Sequence, residues 1–281
     1  MTGPARQDGP PQDGPRQDGP QQEAPWTGGR ATERAVCVLA PNPGPMTLEG
    51  TNTWVLSEPG SARAVVVDPG PDDEQHLARV RTALARRRAR LVAVLLTHSH
   101  LDHTAGAQRL AAAAGVEVVA AAAWRDGEEL DVEGLQLVAL RTPGHTADSA
   151  CFALPADRAL LTGDTVLGRG STVLAEDGSL TDFLTTLDRL LALATPTPEH
   201  PGLDVLLPGH GPLVRDPVAV LAGYRRHREE RLAQVREALA AGAGTTAEVV
   251  AHVHPGLDPA LQRAATWSVR AQLAHLGADL P

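Results

Sequence analysis

Residues 97–106 read Thr-His-Ser-His-Leu-Asp-His-Thr-Ala-Gly and follow the apolar run Leu91-Val92-Ala93-Val94-Leu95-Leu96. A run of that length bounded by polar residues reads as a short buried strand. Side chains alternate faces along a strand, so His98 and His100 point the same way as the chain leaves it. Asp102 and His103 then turn back toward the same pocket. Four metal-competent side chains in six positions constrain the fold strongly, because such loop ends must be held by a rigid scaffold. A histidine-rich surface turn is the competing reading, and four ligands at this spacing argue against it. Imidazole and carboxylate suit zinc, and also iron or manganese.

Three later segments add ligands of the same kind. Thr142-Pro143-Gly144-His145-Thr146 sets a His on a glycine turn, and Thr162-Gly163-Asp164 sets a carboxylate after the apolar Ala159-Leu160-Leu161. Pro208-Gly209-His210-Gly211 sets another His after Val205-Leu206-Leu207. Each ligand sits beside a glycine, where backbone can approach an ion closely. Together these five His and two Asp can hold two ions. One natural division gives His98, His100 and His145 to the first metal. Asp102, His103 and His210 then hold the second, with Asp164 bridging.

The set His-x-His-x-Asp-His, Gly-His, Gly-Asp and Gly-His-Gly resembles the metallo-β-lactamase-fold hydrolase superfamily over residues 35–215. A nearer resemblance lies in Asn42-Pro43-Gly44-Pro45-Met46-Thr47-Leu48-Glu49-Gly50-Thr51-Asn52-Thr53-Trp54 and in Tyr224-Arg225-Arg226-His227-Arg228. Both segments are similar to the β-lactamase-like-protein-2 subfamily. The resemblance implies an α/β fold: an αββα sandwich of two sheets flanked by helices, with metals at one edge and a small C-terminal winged-helix-like domain. It also implies two divalent ions, zinc foremost, and endoribonuclease activity on single-stranded RNA. Two ions about 3.5–4 Å apart can share a water that ionises near neutral pH, and the bridging hydroxide attacks a carbonyl carbon or a phosphorus. Asp164 is expected to keep the ions close. Asp102 is expected to bind the second ion and orient the nucleophile.

Substrate contacts are expected from Asn52, His227, Arg228 and Arg231. Arginine forks suit phosphate. The alternative for the helix is a solvated face with Glu229 and Glu230 pairing along it. Asn52 reads as a substrate contact or as a residue that positions a loop. Asp68, after Val65-Val66-Val67, is expected beneath the site to orient a ligand or loop, the alternative being a plain turn residue before Pro69-Gly70.

The 281 residues suffice for one large domain and a small one. Residues 1–32 repeat Gln-Asp-Gly-Pro from Gln7, Gln12 and Gln17, and a disordered tail without catalytic role is expected there. Residues 33–215 form the catalytic domain. Strands are expected at Ala35–Leu39, Thr53–Leu56, Ala64–Asp68, Leu91–Thr97, Val116–Ala120, Leu135–Leu140, Ala150–Leu154 and Ala159–Thr162. Helices are expected at Asp73–Arg88, Ala105–Ala114 and Thr181–Ala194. Residues 216–281 form the winged-helix-like domain. Val218–Ala241 is one long amphipathic stretch, Thr245-Thr246-Ala247-Glu248 starts a second helix, and Ala260–Leu276 makes a third. Any wing is missing or very short.

Cys37 and Cys151 lie in apolar runs and read as buried free thiols. No apolar run approaches a membrane span, and the Met1 end lacks the apolar core of an export signal, so a cytoplasmic location is expected. The formal net charge is −9, and residues 216–281 carry seven Arg against seven Asp and Glu. Non-specific nucleic-acid binding draws on a basic surface, so tight binding to long RNA is disfavoured. Two classes stay open: a phosphodiesterase acting on single-stranded RNA, and a hydrolase of a small carboxylic ester, thioester or lactone. The glutathione-thioester version of the second resembles hydroxyacylglutathione hydrolases, and the absence of Lys together with a lone Tyr224 weakens it. An iron-dependent sulfur dioxygenase using part of the same ligands is a third reading.

Overall fold

In the computed structural model, which describes residues 25–281, the apolar runs of the sequence become strands covered on both faces. The first sheet holds β1 (Gly29–Arg30), β2 (Ala35–Leu39), β3 (Asn52–Leu56), β4 (Arg63–Val67), β5 (Arg90–Leu95) and β6 (Glu117–Val119), in that spatial order. Its connections include α1 (Glu74–Arg86), the single-turn α2 (Leu101–Thr104) and α3 (Ala107–Ala114). The second sheet holds β7 (Glu128–Val132), β8 (Leu135–Arg141), β9 (Ala150–Leu154), β10 (Ala159–Gly163) and, after α4 (Leu180–Ala194), β11 (Val205–Pro208). Its order is β11-β10-β9-β8-β7. The chain closes with α5 (Pro217–Ala240), α6 (Thr246–Val253) and α7 (Gln262–His275).

The layering follows from side-chain alternation. Trp54, Leu56, Val65 and Val67 enter the core between the sheets, whereas Val55, Ala64 and Val66 meet α1 and α3. In the second sheet Leu161 and Leu207 enter the same core, while Leu160 and Leu206 meet α4 and α5. Strands buried on both faces read as unbroken apolar runs, and these do. The result is the expected αββα sandwich. Strands β4, β5 and β6 are parallel, as are β10 and β11. The segments that follow β4, β5, β10 and β11 meet at one edge. There Ala150 N donates to Thr97 O (2.8 Å), and Gly209 N to Gly163 O (2.8 Å).

Several elements differ from the sequence expectation. Strand β7 was not expected, since only Leu130 and Val132 are apolar in it, while Glu128, Glu129 and Asp131 are exposed along the edge of the second sheet. Charge is a common way to blunt such an edge. The expected tail is shorter than 1–32: Trp26 packs on the inter-sheet core, and β1 pairs with β2. The Gln-Asp-Gly-Pro repeats lie outside the described residues. Helix α5 begins directly after the expected boundary at 215/216 and packs on both sides of it. Its Leu221, Tyr224 and Leu232 belong to the core cluster with α4, and its Val235 and Ala238 pack with α6 and α7.

The local signals of the extension hold well. Thr245 caps α6 and Glu248 returns the bond, the reciprocal pair expected of a hydroxyl three residues before a carboxylate. No strand follows Pro208 among the described residues, so the helices carry no wing. Both cysteines are buried free thiols. No helix among the described residues is long and apolar enough to cross a membrane.

Candidate metal centre

At the strand-end edge two ligand clusters face each other. His98, His100 and His145 bring one nitrogen each within 4.8 Å of one another, and Asp102, His103 and His210 do the same with two nitrogens and a carboxylate oxygen. His100 Nδ1 lies 3.0 Å from His98 Nε2 and 3.1 Å from His145 Nε2. His103 Nε2 lies 3.2 Å from His210 Nε2, and Asp102 Oδ2 lies 3.1 Å from His210 Nε2. Asp164 stands between the clusters. Its Oδ1 is 3.4 Å from His103 Nε2, and its Oδ2 is 3.4 Å from His210 Nε2 and 3.8 Å from His145 Nε2. All seven residues singled out as ligands in the sequence therefore meet.

The outward nitrogens decide what the inward ones offer. His145 Nδ1 donates to Val173 O (2.6 Å) and His210 Nδ1 to Gly50 O (3.2 Å). His103 Nδ1 donates to Asp68 Oδ2 (2.9 Å). Thr97 Oγ1 gives its hydrogen to Asp68 Oδ2 (2.6 Å) and so accepts from His98 Nδ1 (3.0 Å). With Nδ1–H fixed in each ring, Nε2 presents a lone pair to the site. Lone pairs that converge in this way repel unless a cation lies between them. Two ligands on one zinc, each at about 2.05 Å with a tetrahedral angle between them, stand about 3.3 Å apart. The observed nitrogen separations fit that donor set.

Charge and space agree with the fit. Burial opposes ionisation of Asp164, but the His210 and His103 rings hold its carboxyl well below the usual carboxylate range. Burial likewise opposes charge on His103, yet Asp164 and Asp68 carry its pKa well above the ordinary His value. His210, pulled down by burial and up by Asp164 and Asp102, is pushed up to about 9. The carboxylates thus draw positive charge inward, and a divalent ion meets that demand by displacing protons. Burial first, and then the neighbouring His103 charge, keeps His98 neutral. Asp164 Oδ1 is buried without a hydrogen-bond partner. A Cβ at position 209 would lie 2.5 Å from that oxygen, so Gly209 is what lets the turn close on the site.

Asp68 groups with His98 and His103 closely enough to be a ligand itself, but its oxygens are engaged by Thr97 and His103. It is 1% exposed and holds a left-handed backbone, φ 51°, a costly conformation for a non-glycine residue. Thr97 was not singled out in the sequence, although its place directly before His98 was the available signal. Asn52 corrects the substrate reading. It is fully buried, its Nδ2 donates to Pro208 O (2.9 Å) and Gly211 O (2.8 Å), and its Oδ1 accepts from Trp26 Nε1 (2.8 Å). It positions the His210 turn and has nothing left for a substrate. His227, Arg228 and Arg231 do not reach the metal cleft either. They line a second cavity that shares only residues 171–173 with it.

A family profile described as the metallo-beta-lactamase superfamily matches residues 46–126 and 122–210. The chain belongs to the metallo-β-lactamase superfamily. Among curated members it is 35% identical, over 80% of its length and 74% of the relative's, to an atrochrysone carboxyl ACP thioesterase of Aspergillus chevalieri. It is 31% identical to a beta-lactamase-like protein 2 homolog of Caenorhabditis elegans, covering 72% of this chain and 70% of the other. In architecture it is similar to a beta-lactamase domain protein from Burkholderia ambifaria, with a TM-score of 0.74 over 92% of this chain and 90% of that one at 22% identity. The metallo-β-lactamase fold implies divalent metal binding, and relatives with such names support an enzyme of the hydrolase kind.

Proposed function

We propose that the chain hydrolyses small acyl thioesters, using two zinc ions held by His98, His100 and His145 and by Asp102, His103 and His210, with Asp164 between them. The observation that carries this reading is the cleft beside the ligands. A cavity of about 140 Å³ opens on His145 and Asp164 and is lined by Pro45, Met46, Leu48, Leu167 and Val173. Arg169, the one cation in that lining, is paired with Glu49. An apolar lip with a neutralised cation suits an acyl chain and offers a polyanion little to hold. The thioesterase relative supports the same reading.

Bound there, the ions would activate a water and polarise the substrate carbonyl. The chain's own residues do the positioning. Asp68 and Thr97 hold His103 and His98, and the carbonyls of Val173 and Gly50 hold His145 and His210, so that each inward nitrogen is fixed before substrate arrives. Asp102 is the more exposed of the two site carboxylates. Burial would raise its pKa, but the His210 hydrogen bond keeps it ionised, so it can accept a hydrogen from the attacking water. A thiol nucleophile is not needed, and burial pushes both thiols up, Cys151 to about 11.

A single-strand endoribonuclease is the second reading, favoured by the Asn42–Trp54 segment and its likeness to β-lactamase-like protein 2. The two are separated by assaying zinc-loaded wild type and His98→Ala on an N-acetylcysteamine thioester beside a labelled single-stranded RNA. Thiol release by wild type alone, with RNA intact, is expected. RNA cleavage without thioester turnover would reverse the order of the two readings.

A further inference from the structure

The cavity between α5, α7 and residues 171–173 takes no part in that chemistry. It measures about 210 Å³ and is lined by Arg228, Arg231, His227, His254, Ser268 and Gln272, with no Asp or Glu in the lining. Arg228 is 3% exposed; one Nη donates to Thr172 O, and its Nε has no partner. Gln272 is 1% exposed, and its Oε1 has none. Arg231 Nη1 donates to Val253 O and Gln234 Oε1 (both 2.8 Å), and its guanidinium meets no carboxylate. A guanidinium buried without a counter-anion is costly, and a donor left unmade adds to the cost.

We propose that this cavity binds a phosphate group, seated between Arg228 and Arg231 with His227, His254 and Ser268 as further donors. The donors come from α5, from the end of α6 and from α7, so they surround the space instead of lying in one plane. That arrangement suits a tetrahedral oxyanion better than a flat carboxylate. Burial and the two arginines keep His227 below the ordinary His value, and burial and Arg231 do the same for His254. Each ring is then neutral and still has one N–H to give. The site goes beyond the thioester reading and does not depend on it. Its ligand is either a free phosphate compound or the phosphate of a substrate whose reacting end lies at the metals. The wall between the cavities is the same segment in both cases: Thr172 O accepts from Arg228, and Val173 O accepts from His145.

Calorimetric titration of the full-length, metal-loaded protein with inorganic phosphate tests the site directly. Arg231→Gln and His254→Gln change partly exposed side chains, and each is expected to keep the wild-type far-ultraviolet circular dichroism and to weaken phosphate binding at least tenfold. His98→Ala, which disables the metal centre, is expected to retain this binding; that separates it from phosphate held by the ions. Equal phosphate affinity in wild type and Arg231→Gln overturns the proposal, as does phosphate binding that disappears altogether in His98→Ala. The source follows from comparing a coenzyme A thioester with the phosphate-free N-acetylcysteamine thioester. A lower KM for the first that vanishes in Arg231→Gln marks a substrate phosphate; no such difference, with calorimetric binding intact, marks a free phosphate compound.

Discussion

The ligand cluster and the helical cavity on the two sides of residues 171–173 both use histidine and are built by opposite rules. At the strand ends four of the five rings have the outward nitrogen engaged, by Asp68, Thr97, Gly50 or Val173, and only the inward face is open. His100 alone has no such anchor. At the helical junction Arg228 and Gln272 are as deeply buried, yet each keeps an atom without a partner. A group whose bonds are all made within the protein has one orientation, and its neighbours fail together when it is removed. A group with a bond in reserve is shaped by what enters the cavity. The two regions also form differently. The centre joins residues remote in sequence and exists only once both sheets meet, whereas the extension relies on signals within a few residues, such as Thr245 and Glu248.

Changes at the centre should therefore act as all-or-none, and changes in the extension should act singly. The largest effect is expected from Asp164→Asn. Turnover should be abolished and bound metal lost, while the far-ultraviolet circular dichroism is unchanged; retained turnover would mean that the two clusters do not work together. Asp68→Asn touches no ion but releases His103 and Thr97. Metal affinity or kcat should fall by about 10–100-fold, the range typical of removing a carboxylate behind a histidine ligand. Competition with a chelator measures it, and a wild-type value would show that the Asp68 network is ornamental.

Below these in size is a pH effect on stability. His76 is fully buried against Thr53 Oγ1 (2.9 Å), and burial, assisted by Arg79, lowers its pKa to about 4. The unfolded chain takes up that proton near pH 6.5, so unfolding is favoured as pH falls between those values. Stability is full above about pH 6.5 and declines by about 1.4 kcal/mol per pH unit down to about pH 4. Urea midpoints of wild type and His76→Gln across this window should differ in slope by one proton; parallel lines would remove His76 from the account. The smallest effect is expected from Thr245→Ala, a loss of about 1 kcal/mol from the missing cap with kcat untouched. A change in kcat there would show that the extension and the centre are not separable.

Legibility followed the same division. Strands Ala35–Leu39 and Ala150–Leu154 could be read to the residue, because each is a short apolar run that starts after a polar residue, Arg34 or Ser149, and stops at or near a proline, Pro41 or Pro155. The ligands were legible because His98, His100, Asp102 and His103 crowd into six positions after one such run, and His145, Asp164 and His210 each stand beside a glycine. Strand β7 was missed, since its alternation is confined to Leu130 and Val132 among Glu128, Glu129 and Asp131, too short a pattern to mark a strand. Asn52 was legible as important and illegible in role: its amide serves the turn at 208–211, far along the chain, and no local pattern encodes that pairing. Arg228 reads as a substrate contact or as part of a solvated helix face, and neither reading buries it. Only the docking of α5 onto α4 and onto the segment at Thr172 makes it interior.

The shared wall also sets which parts of the cleft are free to diverge. Residues 171–173 face the cleft beside the metal ligands on one side and the Arg228 cavity on the other, so an exchange there alters both surfaces and the carbonyl that steadies His145. The opposite lip, at Pro45, Met46 and Leu48, belongs to a loop bonded mostly to itself, through Gly44 N to Leu48 O (3.1 Å) and Thr47 Oγ1 to Asn42 O (2.6 Å). On the thioester reading, acyl specificity can drift through that lip at little cost to the metal ligands. A redesign of substrate range should begin there and leave the wall intact.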